Sequence, residues 1–90
     1  MSDSEGPTVE MYTKWGCGFC ARAKALLTAK GVAFEEVDIT MGGPKRAQML
    51  GRSSGGTTVP QIFIGGVHVG GSDDLAGLEE TGKLDMLLGR

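Results

Sequence analysis

Lys14-Trp15-Gly16-Cys17-Gly18-Phe19-Cys20 is the stretch that decides how this chain of 90 residues is read. It carries both cysteines. It follows the β-rich segment Thr8 to Tyr12 and runs into good helix formers from Ala21. Two cysteines three apart in a first helical turn share one face, roughly 5–6 Å apart, within disulfide reach. A thiolate there sits at the positive end of the helix dipole among unpaired N–H groups, which lowers its proton affinity. Lys14 adds a second positive charge. The pattern therefore points to thiol redox chemistry at Cys17 and Cys20.

The alternative for the pair is a structural disulfide or half a zinc site. Tetrahedral zinc takes four ligands, and the chain adds only His68, far along in an expected strand, which reads as structural or exposed. A net charge of -2 argues against nucleic acid as a partner. No apolar run approaches the roughly 20 residues of a membrane span. Met1 to Pro7 is polar and acidic, unlike a signal peptide, and is expected to be a frayed tail. A cytoplasmic location follows as the expectation, and in a reducing compartment such close cysteines are reactive rather than structural.

Outward from the cysteines, Thr8–Tyr12 alternates Val9 and Met11 against Glu10 and Tyr12, predicting a strand. A helix is expected from Cys17 or Gly18 to Lys30, stopped by Gly31, with Ala23, Leu26, Leu27 and Lys30 at helical spacing. Phe34–Ile39 predicts a second strand, parallel to the first. Pro44 is placed to start a helix through Arg52 with Ala47, Met49 and Leu50 as its apolar contacts. After the loop Ser53–Thr57, Gln61–Ile64 and Val67–Val69 form a hairpin about Gly65-Gly66. Ser72 is expected as an N-cap with Asp73 and Asp74 in the first turn. Leu75, Leu78, Leu84 and Met86 to Leu88 predict one or two short helices interrupted at Gly82. Met11, Met49 and Met86 are assigned to the core, and Trp15 has packing as its plain reading. The order is β-α-β-α-β-β-α in one domain spanning residues 1–90.

That order, with the cysteine pair at the first strand–helix junction, resembles the thioredoxin fold. Three motifs make it more similar to a glutaredoxin: Lys14-x-x-Cys17-x-Phe19-Cys20, Thr58-Val59-Pro60, and Gly70-Gly71-Ser72-Asp73-Asp74. The resemblance spans Thr8 to Leu88 and implies an α/β fold with a four-stranded mixed sheet flanked by helices. It implies a monomeric thiol-disulfide oxidoreductase of the dithiol type, using glutathione as co-substrate on glutathionylated or disulfide-containing proteins.

The resemblance also assigns roles. Cys17 is the nucleophile and Cys20 the resolving cysteine. Pro60 is a cis-proline facing the site, and Val59 pairs with glutathione like an added strand. Lys14 takes the glycine carboxylate, with Arg46 as a further candidate partner. Ser72 and Asp73, after Gly71, take the γ-glutamyl end; Phe19 and Thr58 complete the binding residues. Two positions depart from the family pattern. Phe19 replaces the usual tyrosine, and Gly18 stands where dithiol members have proline. Some members lacking that proline hold a [2Fe-2S] cluster between two subunits with Cys17-type cysteines and glutathione, so cluster storage or transfer is the alternative expectation. Cys20, where dedicated carriers usually have serine, argues against it as the main role.

Overall fold

The computed structural model describes residues 6–90. The expected tail at residues 1–5 lies outside them. The elements are β1 (Val9–Thr13), α1 (Gly18–Ala29), β2 (Glu35–Asp38), α2 (Pro44–Arg52), β3 (Gln61–Ile64), β4 (Val67–Gly70), α3 (Ser72–Glu80) and α4 (Lys83–Leu87). The sheet order is β2-β1-β3-β4, with β1 parallel to β2 and the other two pairings antiparallel. This is the thioredoxin-like fold with a mixed sheet that the motifs implied.

The sheet is covered on both faces, and the alternation along its central strands sorts the core in two. Val9 and Met11 of β1 and Ile62 and Ile64 of β3 face α1, α3 and α4, where they pack with Ala23, Leu27, Leu75 and Leu84. Tyr12 and Phe63 point the other way and pack with Ile39 and Met49 under α2. Every residue of β3 is buried, as a central strand requires. Tyr12, expected on a polar face with Glu10, is buried because α2 covers that face. Its hydroxyl donates to Gln48 Oε1 at 2.6 Å and accepts from Arg52 Nη1 at 3.0 Å, so the burial leaves no polar atom unpaired.

Arg52 is the clamp between α2 and the sheet. Its guanidinium meets Glu10 in a two-pronged ion pair, at 2.8 and 3.3 Å, and lies 4.0 Å from the Phe63 ring centroid. At the far end of α1, Lys30 bonds both Glu79 and Asp85 at 2.9 Å, tying it to α3 and α4. Gly65 and Gly66, at φ 60° and 82°, make the hairpin turn that needs two left-handed residues.

Several local expectations are corrected. Met86 is exposed on α4, which is only five residues long and buries Leu84 instead. Ala47 is also exposed, so the apolar contacts of α2 come from Met49 and Leu50. The α3 N-cap is Gly71, not Ser72: the Asp74 carboxylate accepts the Gly71 N–H at 2.9 Å, and Ser72 becomes the first helical residue. Pro7 is not frayed. It lies half-buried against Gly65 and Gly89. Met49→Ala is expected to cost about 2–5 kcal/mol of stability in urea unfolding, whereas Met86→Ala should change it by less than about 0.5 kcal/mol.

Candidate active site

The site forms where β1 ends and α1 begins. Gly16, at φ 75°, turns the chain out of β1. Cys17 then takes an extended conformation as the N-cap of α1, and its sulfur accepts the Cys20 N–H at 3.0 Å. That is the role a serine or aspartate oxygen usually plays. No acidic residue lies in the first turn to oppose a negative sulfur. Cys17 and Cys20 are joined as a disulfide with their Cα atoms 5.2 Å apart, inside the spacing expected from their positions. Cys17 is half-buried; Cys20, on the side of α1 that faces the core, is only 2% exposed. Attack from outside is therefore open to the first sulfur and closed to the second.

The Val59–Pro60 peptide bond is cis, and Pro60 is buried. The turn brings the Val59 carbonyl oxygen to 3.7 Å from Cys17 Sγ. A groove of about 490 Å³ opens beside it, lined by Phe19, Thr58, Val59, Pro60, Gly71, Ser72 and Asp73. Seven of the eleven residues singled out from the sequence thus share one surface. Three more, Lys14, Cys17 and Cys20, line an adjoining hollow of about 470 Å³ with Thr13, Lys24 and Glu36. Cys17 stands between the two. Lys14 is exposed and takes part in none of the ion pairs among the described residues. Arg46 lies half-buried on α2 and lines neither hollow.

The sequence reading missed the groove's supports. Gln61 Nε2 donates to the Thr58 carbonyl at 3.0 Å, and Gln61 Oε1 pairs with His68 Nε2 at 2.6 Å. The His68 ring in turn lies against Phe63, with centroids 5.0 Å apart. His68, which is exposed, therefore steadies the Thr58 turn through Gln61. Gly56 is required beside it, since a Cβ there would come within 3.0 Å of both Gln61 Nε2 and Ser53 Oγ. Gly70, at φ 117°, leaves the space the Asp74 carboxylate needs to cap α3. Only the glycines carried a local signal for this.

A family model, Glutaredoxin, matches residues 9–69. The chain belongs to the glutaredoxin family. Glutaredoxin 3 of Escherichia coli K12 is 56% identical over 80 residues, covering 89% of this chain and 95% of the relative. The solution structure of a glutaredoxin from Brucella melitensis superposes with a TM-score of 0.80 at 54% identity, covering 97% and 94% of the two chains. A buckwheat glutaredoxin–glutathione complex superposes at 0.82 with 29% identity, covering 92% and 77%. Family membership makes the chain a thiol-disulfide oxidoreductase with Cys17 and Cys20 as its redox pair. Among the described residues, no helix is long and apolar enough to cross a membrane.

In the second hollow, Glu36 Oε2 accepts from Lys24 Nζ at 3.0 Å and from the buried Thr13 hydroxyl at 2.8 Å. The two bonds hold the Glu36 carboxyl below the usual carboxylate range, Lys24 having the larger effect. A carboxyl depressed in the folded state stabilises it above the unfolded value near 4.5, and that contribution is lost as pH falls through the folded value. Glu36→Gln should therefore lower stability at pH 7 by about 0.5 kcal/mol, solvent screening included. The gap should narrow as pH falls below 4.5 in parallel urea titrations of the two proteins.

Proposed function

We propose that this chain, acting as a monomer and a single domain in the cytoplasm, is a glutathione-dependent oxidoreductase. It reduces protein–glutathione mixed disulfides and small disulfides. The observation that carries the reading is the seat of Cys17 Sγ: 3.7 Å from the Val59 carbonyl, at the mouth of the groove between Phe19, Pro60 and Ser72. The buckwheat relative's structure as a glutathione complex supports that tripeptide as the groove's occupant.

Each part of the groove suits a part of glutathione. The Val59 backbone before the cis bond offers an edge for strand-like pairing. The N-terminus of α3 at Gly71 and Ser72 suits the γ-glutamyl carboxylate, and the exposed Asp73 carboxylate suits its ammonium. Lys14, free of any ion pair among the described residues, suits the glycine carboxylate. Phe19 and Thr58 form the walls.

The Cys17 thiolate, stabilised by the Cys20 N–H and the α1 dipole, attacks the glutathionyl sulfur of a mixed disulfide. The Cys17–glutathione bond forms as the glutathione–protein bond breaks, and the leaving thiolate is protonated from solvent. A second glutathione, as thiolate, attacks the glutathionyl sulfur on Cys17. Oxidised glutathione leaves and the Cys17 thiolate returns. With a protein disulfide, the Cys17 thiolate attacks one substrate sulfur; the substrate disulfide breaks, and its other sulfur leaves as a thiolate that solvent protonates. Cys20 then loses its proton and attacks Cys17 Sγ, forming the internal disulfide and releasing the substrate with both sulfurs reduced.

Turnover of hydroxyethyl disulfide with glutathione and its reductase tests this directly. Cys17→Ser is expected to lose all activity. Cys20→Ser should keep removal of glutathione from a small mixed disulfide while losing reduction of protein disulfides. Full activity in Cys17→Ser would overturn the assignment.

A second reading, a glutathione-ligated [2Fe-2S] cluster bridging two copies for storage or transfer, draws on Gly18. A Cβ at Gly18 meets nothing within 4 Å, so packing does not explain the absence of proline there. Among the described residues no three His, Cys, Asp or Glu side chains converge as a metal site. One copy would thus bring a single accessible sulfur, Cys17, and the remaining ligands would come from glutathione and the second copy. Anaerobic reconstitution with iron, sulfide and glutathione separates the readings. The oxidoreductase reading expects a colourless monomer, and a visible chromophore in a dimer would favour the cluster.

A further inference from the structure

Two residues that line the groove have no part in the glutathione assignment: buried Gln61 and exposed His68, which share it with Thr58, Val59 and Ser72. A histidine in water on the edge strand β4 is ordinarily free to turn. This one is held from two sides. Its ring lies against Phe63, centroids 5.0 Å apart, and Phe63 is itself buried beneath the Arg52 guanidinium. Its Nε2 meets Gln61 Oε1 at 2.6 Å.

Each bond takes its direction from its partners. The Thr58 carbonyl can only accept, so the Gln61 amide turns its Nε2 toward it, at 3.0 Å. Gln61 Oε1 is then the atom that faces His68, and His68 must carry a proton on Nε2. The neutral ring in that tautomer and the protonated ring both supply it, so the support does not switch with pH. What it holds is a peptide plane. The Thr58 carbonyl and the Val59 N–H belong to one trans peptide unit and point to opposite sides of it. Fixing the carbonyl from the Gln61 side therefore aims the Val59 N–H the other way. That N–H finds no backbone acceptor among the described residues. The next carbonyl along, that of Val59, is the one 3.7 Å from Cys17 Sγ.

We propose that Gln61 and His68 are positioning residues for glutathione. Through the Thr58 carbonyl they set the direction in which the Val59 N–H meets the main chain of the tripeptide. This rests on the glutathione-dependent reading above. Neither side chain acts on the reacting sulfurs. A donor already aimed leaves less to be ordered on binding, so the effect belongs to KM and not to the reactivity of Cys17.

The test separates the hydrogen bond from the ring. His68→Phe keeps a ring against Phe63 and loses the donor. His68→Gln gives up the ring and keeps an N–H donor the same number of bonds from the backbone. Turnover is measured on glutathionylated cysteamine, at fixed glutathione with its reductase. His68→Phe is expected to raise KM about fivefold, the range for one hydrogen bond, with kcat little changed. His68→Gln should stay close to wild type. Iodoacetamide should alkylate reduced Cys17 at the same rate in all three proteins, and a cooperative thermal transition above the assay temperature shows that each is folded. An unchanged KM in His68→Phe, a KM raised equally in both variants, or a fall in alkylation rate alongside it would overturn the positioning role alone. A wild-type chain inactive on glutathionylated cysteamine would overturn the glutathione reading and the positioning role with it.

Discussion

One sulfur both caps a helix and forms the more exposed half of the cysteine pair, and the rest of the site depends on that. The sulfur of Cys17 occupies the N-cap position of α1 and accepts the Cys20 N–H at 3.0 Å. A serine oxygen there would only stabilise the helix by about 1 kcal/mol. A sulfur there lies among N–H groups that favour negative charge, at the surface edge of α1. Because the cap fixes where α1 starts, it also fixes the three-residue step to Cys20. That step turns the second sulfur into the protein while the first faces out. The difference in access between the two cysteines thus comes from a single turn of backbone.

The covered sheet makes that turn rigid. β1 is flanked by β2 and β3, and its side chains anchor both halves of the core, Met11 toward α1 and Tyr12 toward α2. The Val59–Pro60 turn enters β3, the neighbour of β1, so the carbonyl facing Cys17 hangs from the adjacent strand. Arg52 reinforces the arrangement by spanning Glu10 of β1, the Tyr12 hydroxyl and the face of Phe63. A guanidinium is suited to this because its plane can stack on a ring while its edge forms ion pairs. Two loops that are remote in sequence are brought together by strands that cannot slip without exposing an entire face.

Much of this was legible in the chain because it is written locally. The bounds of α2 follow from Pro44 and the loop after Arg52, the hairpin from Gly65-Gly66, and the helix start from the residues around Cys17. The motifs carried the fold and the groove-lining residues Phe19, Thr58 to Pro60 and Gly71 to Asp73. What stayed hidden depends on partners far along the chain. Tyr12 reads as a surface residue until α2 is known to lie over it. Met86 reads as core until α4 is seen to end after five residues. The Gln61–His68 pair, which steadies Thr58, has no periodicity to announce it. The α3 cap was misread because Ser72 is the stronger cap by type. In the fold Gly71 has the required extended backbone, with Asp74 reaching back to its N–H.

The two hollows beside Cys17 are built differently. The groove toward Pro60 is largely backbone and small residues: the Val59 edge, Gly71, and the start of α3. Such a surface is fixed in shape and, on the reading proposed above, suits one small ligand met in every turnover. On the other side Trp15 stands exposed, its backbone N–H held by Thr40 Oγ1 at 2.7 Å. A constant partner favours preorganised backbone, since little ordering is left to be lost on binding. If the groove takes glutathione as proposed, its selectivity rests on backbone that the fold has already placed.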